Sequence, residues 1–580
     1  MSDRHSGGIS DLALLTVIAV ALGAAGLVWL WGGIAGALFG GGWPRVGAGQ
    51  LLGVLARLPG RLPDPGGAWP PAARSRLPGP AGFYSALLLL GGAAAAVALA
   101  ARRAGAGMGA GIRGPRSGAG ARWAAPRELG ALRAGRRRTR AGAGGGAGAG
   151  AGAGRLTLGR HHGRLLYAEQ RHALVAFGPP QSGKSAGLAI PALLQWDGPA
   201  VASSIKTDLL GATLRRRRAL GTTFVFDPFG LAQMPSHTWS PLQGARTWDG
   251  ALEVAWRLAA AGELDQRGVE GGDFWAIAAE QRLAPLLYTA ALTGAGIDSV
   301  VRWAYGQGAR ELHEALGRLA EAAGDERELA GAHAAYDAVR AFEAQADRTR
   351  SSIEATAQAL LRAYRFERVA GSARSSQITA DRLLDGAATL YLVGDAKASK
   401  LLRPIFIALL SEIVDRAYER ATLAGGRLPR PLLLCLDEAG NVAPLPNLAE
   451  IASTAPSHNI QLVSIFHDLA QARSGYGQQA ETVVNSHRAR MLLPGVADLE
   501  TLRYFAGLVG EEEARDRTRT TGAGGTTRAT ARRRRPLAAA EALRQLPDGH
   551  ALLLYGRIPP AQIRLRMWFA DRRLRRLAEQ

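Results

Sequence analysis

The 580-residue chain holds a single cysteine, only four lysines and two long stretches without any charge. Cys435 alone excludes a disulfide framework and a zinc ribbon, since both need several thiols, and it points to a reducing compartment for the bulk of the chain. Lysine is confined to Lys184, Lys206, Lys397 and Lys400 although Lys and Arg together number 70, so arginine carries the formal net charge of +22. Acid is scarce in two places. Residues 101 to 140 carry eleven arginines against Glu128, and residues 515 to 580 carry sixteen against five acids, so these stretches account for 21 of the 22 charges. Two basic ends around a near-neutral middle imply two local tasks rather than general polyanion binding. Metal-ligand clusters are missing too: His161 and His162 have no HExxH pattern and no acid at ligand spacing, and read as surface residues.

The charge-free runs are Leu12 to Phe39 and Phe83 to Ala101. Each meets the roughly 20 apolar residues that cross a hydrocarbon core of about 30 Å, so residues 1–101 are expected to form a two-helix transmembrane hairpin, with spans at about 12–32 and 83–101. A basic n-region reduced to Arg4, followed by a second span, argues against a signal peptide. The Pro/Gly-rich loop 40–82 carries five arginines, fewer than the eleven after the second span. The loop is therefore expected to face outward from the cell membrane and the rest of the chain to lie in the cytoplasm. Trp29, Trp31, Trp43 and Tyr84 suit interfacial anchoring, and Gly32 with Gly36 has the small-xxx-small spacing of a helix-packing face. The basic residues of 102–154 read as lipid-facing topology determinants at about 1 kcal/mol each. Ala141 to Gly154, almost pure Ala and Gly, reads as a flexible tether.

From residue 155 short apolar runs alternate with helical stretches. The strand candidates are Ala173–Phe177, Ala200–Ser203, Thr222–Phe226, Thr389–Val393, Leu432–Leu436, Gln461–Ile465, Ala489–Leu493 and Ala551–Tyr555. Apolar residues on successive positions fit a parallel sheet covered by helices on both faces. Thr247 to Arg374 has helix-forming composition and is too long for one crossover. The expected fold is α/β: a P-loop (RecA-like) NTPase with a mostly parallel sheet in 155–246 and 375–580, and an inserted all-α domain in 247–374. The Gly-Thr-rich, basic 515–536 reads as a mobile loop.

Gly178-Pro179-Pro180-Gln181-Ser182-Gly183-Lys184-Ser185 is a complete GxxxxGK[ST], placed after an apolar run and before a helical stretch as the motif requires. Its backbone N–H groups would converge on the phosphates of ATP, Lys184 would reach the β and γ oxygens, and Ser185 would coordinate Mg2+. Pro431 to Leu436 is an apolar strand ending in Asp437-Glu438. Asp437 is the Mg2+-side candidate and Glu438 the general base for the attacking water. Cys435, inside that strand, reads as a small buried hydrophobe.

These blocks carry a family resemblance. Gly183 to Leu194, with its Pro191 two turns into the helix, resembles the phosphate loop of the type IV secretion coupling proteins, the VirD-type and TraG/TraD-like conjugative DNA-transfer ATPases. Val201 to Leu209, Phe226-Asp227-Pro228, Trp239-Ser240-Pro241-Leu242 and Asp273-Phe274-Trp275 are similar to further blocks of that family. So are Leu436 to Asn441 and Ile465 to Gln471. His467 stands where the family commonly has Gln and is a candidate γ-phosphate sensor, with Asn485 a weaker polar candidate. The resemblance implies a homo-hexameric, membrane-anchored motor that moves single-stranded DNA with its relaxase into a type IV secretion channel. It also implies an arginine finger, for which Arg473, Arg488 and Arg490 are candidates. Arg532, Arg533, Arg534 and Arg535 are candidate DNA contacts, ahead of Arg572 to Arg576. A double-stranded DNA translocase of the FtsK/SpoIIIE type is the rival reading, and the few residues after Met567-Trp568-Phe569 are expected to leave no room for its DNA-orienting domain. A protein-only coupling ATPase is a second rival. The Arg, Ala and Gly excess suggests a high-GC Gram-positive host.

Overall fold

The computed structural model describes residues 11–105, 120–133, 155–169, 172–266, 272–442, 444–522 and 525–580. The Ala-Gly tether and most of the basic stretch before it lie outside the described residues, as do the side chains of Asp273, Phe274 and Trp275. Two compact units are formed, Met1–Ser117 and Gly118–Gln580.

In the first unit, helices Asp11–Phe39 and Pro80–Gly105 pack on each other. Segment 40–82 is not a plain loop. It holds the helix Ala48–Arg57 and several short helical turns, and it inserts Trp69, which is wholly buried, against the first helix. A Cβ on Gly32 would lie 2.1 Å from the Trp69 ring, and one on Gly36 would lie 2.5 Å from the Gly42 carbonyl. These glycines therefore admit the connecting segment rather than the second helix. Trp31 is buried and donates its indole N–H to the Phe83 carbonyl at 2.7 Å, which makes it a packing residue within the hairpin. Helices thus lie where the charge-free runs fall, but among the described residues no helix is long and apolar enough to cross a membrane.

The second unit is built on an eleven-stranded sheet. Its strands are β1 (Thr157–His161), β2 (Arg164–Tyr167), β3 (Leu174–Phe177), β4 (Ala200–Ser204), β5 (Thr223–Phe226), β6 (Thr389–Val393), β7 (Leu432–Leu436), β8 (Ile460–Phe466) and β9 (Ala489–Leu492). After these come β10 (Glu511–Gly522), β11 (Gly525–Pro536), β12 (His550–Tyr555) and β13 (Ile558–Arg564). The sheet order is β2-β1-β13-β12-β9-β3-β8-β7-β4-β6-β5, and the run from β9 to β5 is parallel throughout. All residues of β3, β4, β6, β7 and β8 are buried, which is why their apolar runs are continuous rather than alternating. Antiparallel β12, β13, β1 and β2 extend one side. Of these only β12 has a long apolar run. The others are short or broken by Arg, Gly or Pro, a weak signal in sequence.

Between β5 and β6 the described chain is helical, from Trp248–Gln266 to Glu367–Gly371. Its apolar faces, with Leu258, Leu283 and Leu287, share one core with Phe177, Phe224 and Leu390 of the sheet. On the other face of the sheet, Arg217 of the helix Asp208–Leu220 is fully buried. It donates to the carbonyls of Trp196, Gly198 (2.6 Å) and Ala387 and to Thr389 Oγ1 at 2.7 Å, tying the ends of β4 and β6 together.

The 515–536 segment departs from the loop expectation: β10 and β11 form a separate antiparallel two-stranded ribbon with residue-for-residue register from Glu511 opposite Pro536 to Gly522 opposite Gly525. Alternating Arg and Thr in Arg515-Asp-Arg-Thr-Arg-Thr-Thr521 has a strand period of two, and threonine suits a pleated surface.

Candidate nucleotide-binding site

The phosphate loop leaves β3 and the Asp437-Glu438 pair leaves β7, with β8 between these strands. All three strands end at the same sheet edge, so the parallel order alone brings Lys184, Asp437, Glu438 and His467 to one place. Gln181 and Gly183 adopt φ of +67° and +87°, the left-handed conformations that curl the loop so its N–H groups face inward. Glu438 is also left-handed, at φ +64°, a conformation that costs a non-glycine residue about 1–3 kcal/mol and turns the second carboxylate back toward the loop. The turn is held by the Ala439 N–H on the Ile465 carbonyl and the Asn441 N–H on the Glu438 carbonyl.

Lys184 Nζ donates to Glu438 Oε1 at 2.9 Å, and Ser185 Oγ donates to Asp437 Oδ2 at 2.6 Å. His467, directly after β8, brings Nε2 to 2.6 Å from the same Glu438 Oε1, while Asn441 Nδ2 donates to Oε2 at 2.9 Å. The His467 backbone is held in turn by Gln471 Oε1, which accepts its N–H at 2.6 Å. Lys184, Asp437 and Glu438 are buried. Burial pushes the Asp437 carboxyl up to about 6, against the pull of Ser185 and Lys184. Burial acts the same way on Glu438, but hydrogen bonds from His467 and Lys184 outweigh it and hold that carboxyl at about 2. Neighbouring carboxylates with displaced titrations in opposite directions are suited to different roles.

Asp437 Oδ1 is buried without a hydrogen-bond partner, and so is Ser182 Oγ in the loop. A hard divalent cation takes oxygen ligands, and the free Asp437 oxygen beside the Ser185 hydroxyl fits Mg2+. Among the described residues no group of three His, Cys, Asp or Glu could hold a metal ion by itself.

Other sequence candidates fall elsewhere. Arg473 pairs with Glu481 and Glu500, and Arg490 donates to the Val484 and Asn485 carbonyls at 3.1 and 3.0 Å. Asn485 accepts from Tyr504 at 3.0 Å, and Arg488 lies against Gly556. Asp227 is buried and caps its own loop, accepting the Ala232 N–H at 2.6 Å, while Trp239 donates to Glu412 at 3.0 Å; both are structural positions. His161 is buried rather than exposed, stacked edge-on against His162. Cys435 is fully buried in β7, and its thiol is pushed far up by burial. Asn441 and Gln471 were not singled out from sequence, although both lie inside the two blocks that end β7 and β8.

A family model described as type IV secretory system conjugative DNA transfer matches residues 132–580. The chain belongs to that family. Its relatives include the conjugal transfer protein TraG of Escherichia coli, 24% identical over 372 residues, covering 60% of this chain and 56% of TraG. VirD4 of Agrobacterium fabrum is 22% identical over 430 residues, covering 72% of this chain and 61% of VirD4. The match thus spans little more than half of these relatives' length. Among solved structures, the bacterial conjugative coupling protein TrwBdeltaN70 has a TM-score of 0.53 at 20% identity, covering 72% of this chain and 89% of that one. The plasmid coupling protein TrwB in complex with ADP and Mg2+ also scores 0.53, at 18% identity, covering 77% and 94%. The α/β fold with its mostly parallel sheet is therefore the one these family structures share.

Proposed function

We propose that this chain is an ATP hydrolase that couples turnover to the movement of DNA, single-stranded and carrying its relaxase, into a type IV secretion channel. The convergence of Lys184, Ser185, Asp437 and Glu438 at the end of the phosphate loop carries the reading. Ser185 and Asp437 would hold Mg2+, which would supply charge neutralisation at the phosphates. Lys184 exchanges Glu438 for a phosphate oxygen when nucleotide enters. Glu438 then loses one of the two hydrogen bonds that depress its basicity, while Asn441 and His467 keep it aimed as the acceptor of a proton from the attacking water. His467 reports on the γ-phosphate through that carboxylate.

The DNA reading draws on family membership and on the β10–β11 ribbon. Residues opposite one another share a face, so Arg515, Arg517, Arg519, Arg528, Arg532 and Arg534 occupy one face of the ribbon. Arg533 and Arg535 occupy the other, where Arg535 pairs with Glu512 at 2.7 Å. Successive arginines on a strand face are about 6.8 Å apart. Charges so spaced suit a phosphate backbone without reading its sequence. Membrane anchoring by the N-terminal helices, a cytoplasmic ATPase and a homo-hexameric ring complete the proposal.

The test is the ATPase rate of wild type and Lys184→Ala with single-stranded DNA, double-stranded DNA or none, across salt. Wild type should be stimulated most by single strands and the variant should be inactive under all conditions. Equal rates in the two proteins would overturn the site, and a rate indifferent to DNA would overturn the cargo.

A further inference from the structure

The catalytic groups lie to one side of the phosphate loop, over β8 and β7. On its other side the sheet continues through β9 to β12 and β13. Leu552 of β12 lies opposite Leu492 at the carboxyl end of β9, and His550 lies opposite Arg564 of β13. The start of β12 and the end of β13 therefore reach the same sheet edge as the loop.

The segment after β13 lies directly on the loop. Trp568 N–H donates to the Ala186 carbonyl at 3.0 Å, and a Cβ on Gly183 would come within 2.5 Å of Met567 Cε. Buried Arg566 anchors this segment by binding Asp571 at 2.9 Å and, at 2.7 Å, Gln195 on the helix that follows the loop. Between the segment and Gly549 opens a recess of about 650 Å³ lined by Asp548, Gly549, Met567, Phe569, Arg572 and Arg573. That volume lies within the roughly 300–1,000 Å³ of small-ligand sites. Phe569 is 55% exposed.

A triphosphate whose γ end met Lys184 and Asp437 would leave its far end toward the other side of the loop, where Met567 and Trp568 lie on Gly183 and Ala186. Resting on the ATP-site reading above, we infer that the recess takes the nucleoside half of the nucleotide. The base stacks on Phe569 against the Met567 thioether, contacts that polarisable sulfur and aromatic faces make with any flat heterocycle.

Calorimetric titration of the full-length chain with Mg-ATP and with inorganic Mg-tripolyphosphate, which has the phosphates but no nucleoside, separates the two halves of the site. Phe569→Ala should weaken ATP about tenfold, the size of one base–aromatic stack, and leave tripolyphosphate unchanged, with Phe569→Tyr restoring ATP binding. An unchanged ratio of the two affinities in Phe569→Ala would overturn the inference while leaving the phosphate site intact. Loss of both ligands in wild type would overturn the phosphate site itself. Photolabelling of wild type with 8-azido-ATP should mark the peptide around residues 567–573, and label confined to other peptides would equally overturn it.

Discussion

At the scale of single residues the site is a competition for one carboxylate. Glu438 Oε1 receives both Lys184 and His467, so in the proposed cycle the base would stay neutralised and the lysine occupied until phosphate competed for the lysine. Histidine in place of the family's glutamine fits because either side chain can donate to Glu438 from the end of β8. His467→Ala should lower kcat by about 10- to 100-fold, the worth of one hydrogen bond to a charged group, with ATP affinity unchanged, and His467→Gln should recover most of it; steady-state kinetics decides. His487 sets a different limit. It is fully buried behind β8, donating Nδ1–H to the Val483 carbonyl at 2.7 Å and accepting Ser464 Oγ at 3.0 Å, and burial lowers its pKa to about 4. The folded protein thus binds fewer protons than the unfolded chain between about pH 6.5 and 4. This group's contribution is present above pH 6.5 and lost as the pH falls toward 4, up to about 3 kcal/mol. In thermal melts, the drop in Tm between pH 7 and 4.5 should be smaller for His487→Gln than for wild type.

At the scale of elements, the β10–β11 ribbon separates residues that adjacency in sequence lumps together. The four-arginine run Arg532 to Arg535 reads as one basic patch, but strand alternation sends half of it to each face and recruits Arg515, Arg517, Arg519 and Arg528 from elsewhere in the ribbon to join Arg532 and Arg534. Replacing Arg515, Arg517 and Arg519 together by Gln should weaken DNA binding and flatten the dependence of log K on log salt by about 2 to 3. Replacing Arg533 and Arg535 should do much less, and equal effects of the two sets in a salt titration would refute a one-faced contact. The glycines of the first helix teach the same lesson. Gly32 and Gly36 have the spacing of a helix-packing motif, yet what enters there is Trp69 and the Gly42 backbone from the connecting segment.

At the scale of the whole molecule, two of the three arginine-finger candidates are engaged away from the nucleotide site of their own chain. Arg473 is paired with two glutamates and Arg490 is bonded to backbone carbonyls, and in the proposed ring a neighbouring copy would supply charge stabilisation at the γ-phosphate. Turnover per protomer should therefore rise with protein concentration and level off as rings form, which dilution assays followed by light scattering will test. A turnover independent of concentration would remove the need for a partner.

All eight apolar runs expected as strands lie on strands of the structure, and the phosphate loop and Asp437-Glu438 motifs stand at strand ends. Both were legible because the physics is local: continuous burial demands continuous apolar sequence, and a phosphate cradle demands glycine at fixed spacing. What β8 places between those motifs, which carboxylate each cation chooses, and which arginines share a ribbon face depend on strand order and register. Those are set by pairing between segments tens to hundreds of residues apart. Sequence alone determined the chemistry available to this protein. Only the tertiary structure decided which groups meet, because a side chain's partner is chosen by the strand beside it and not by the residue next to it.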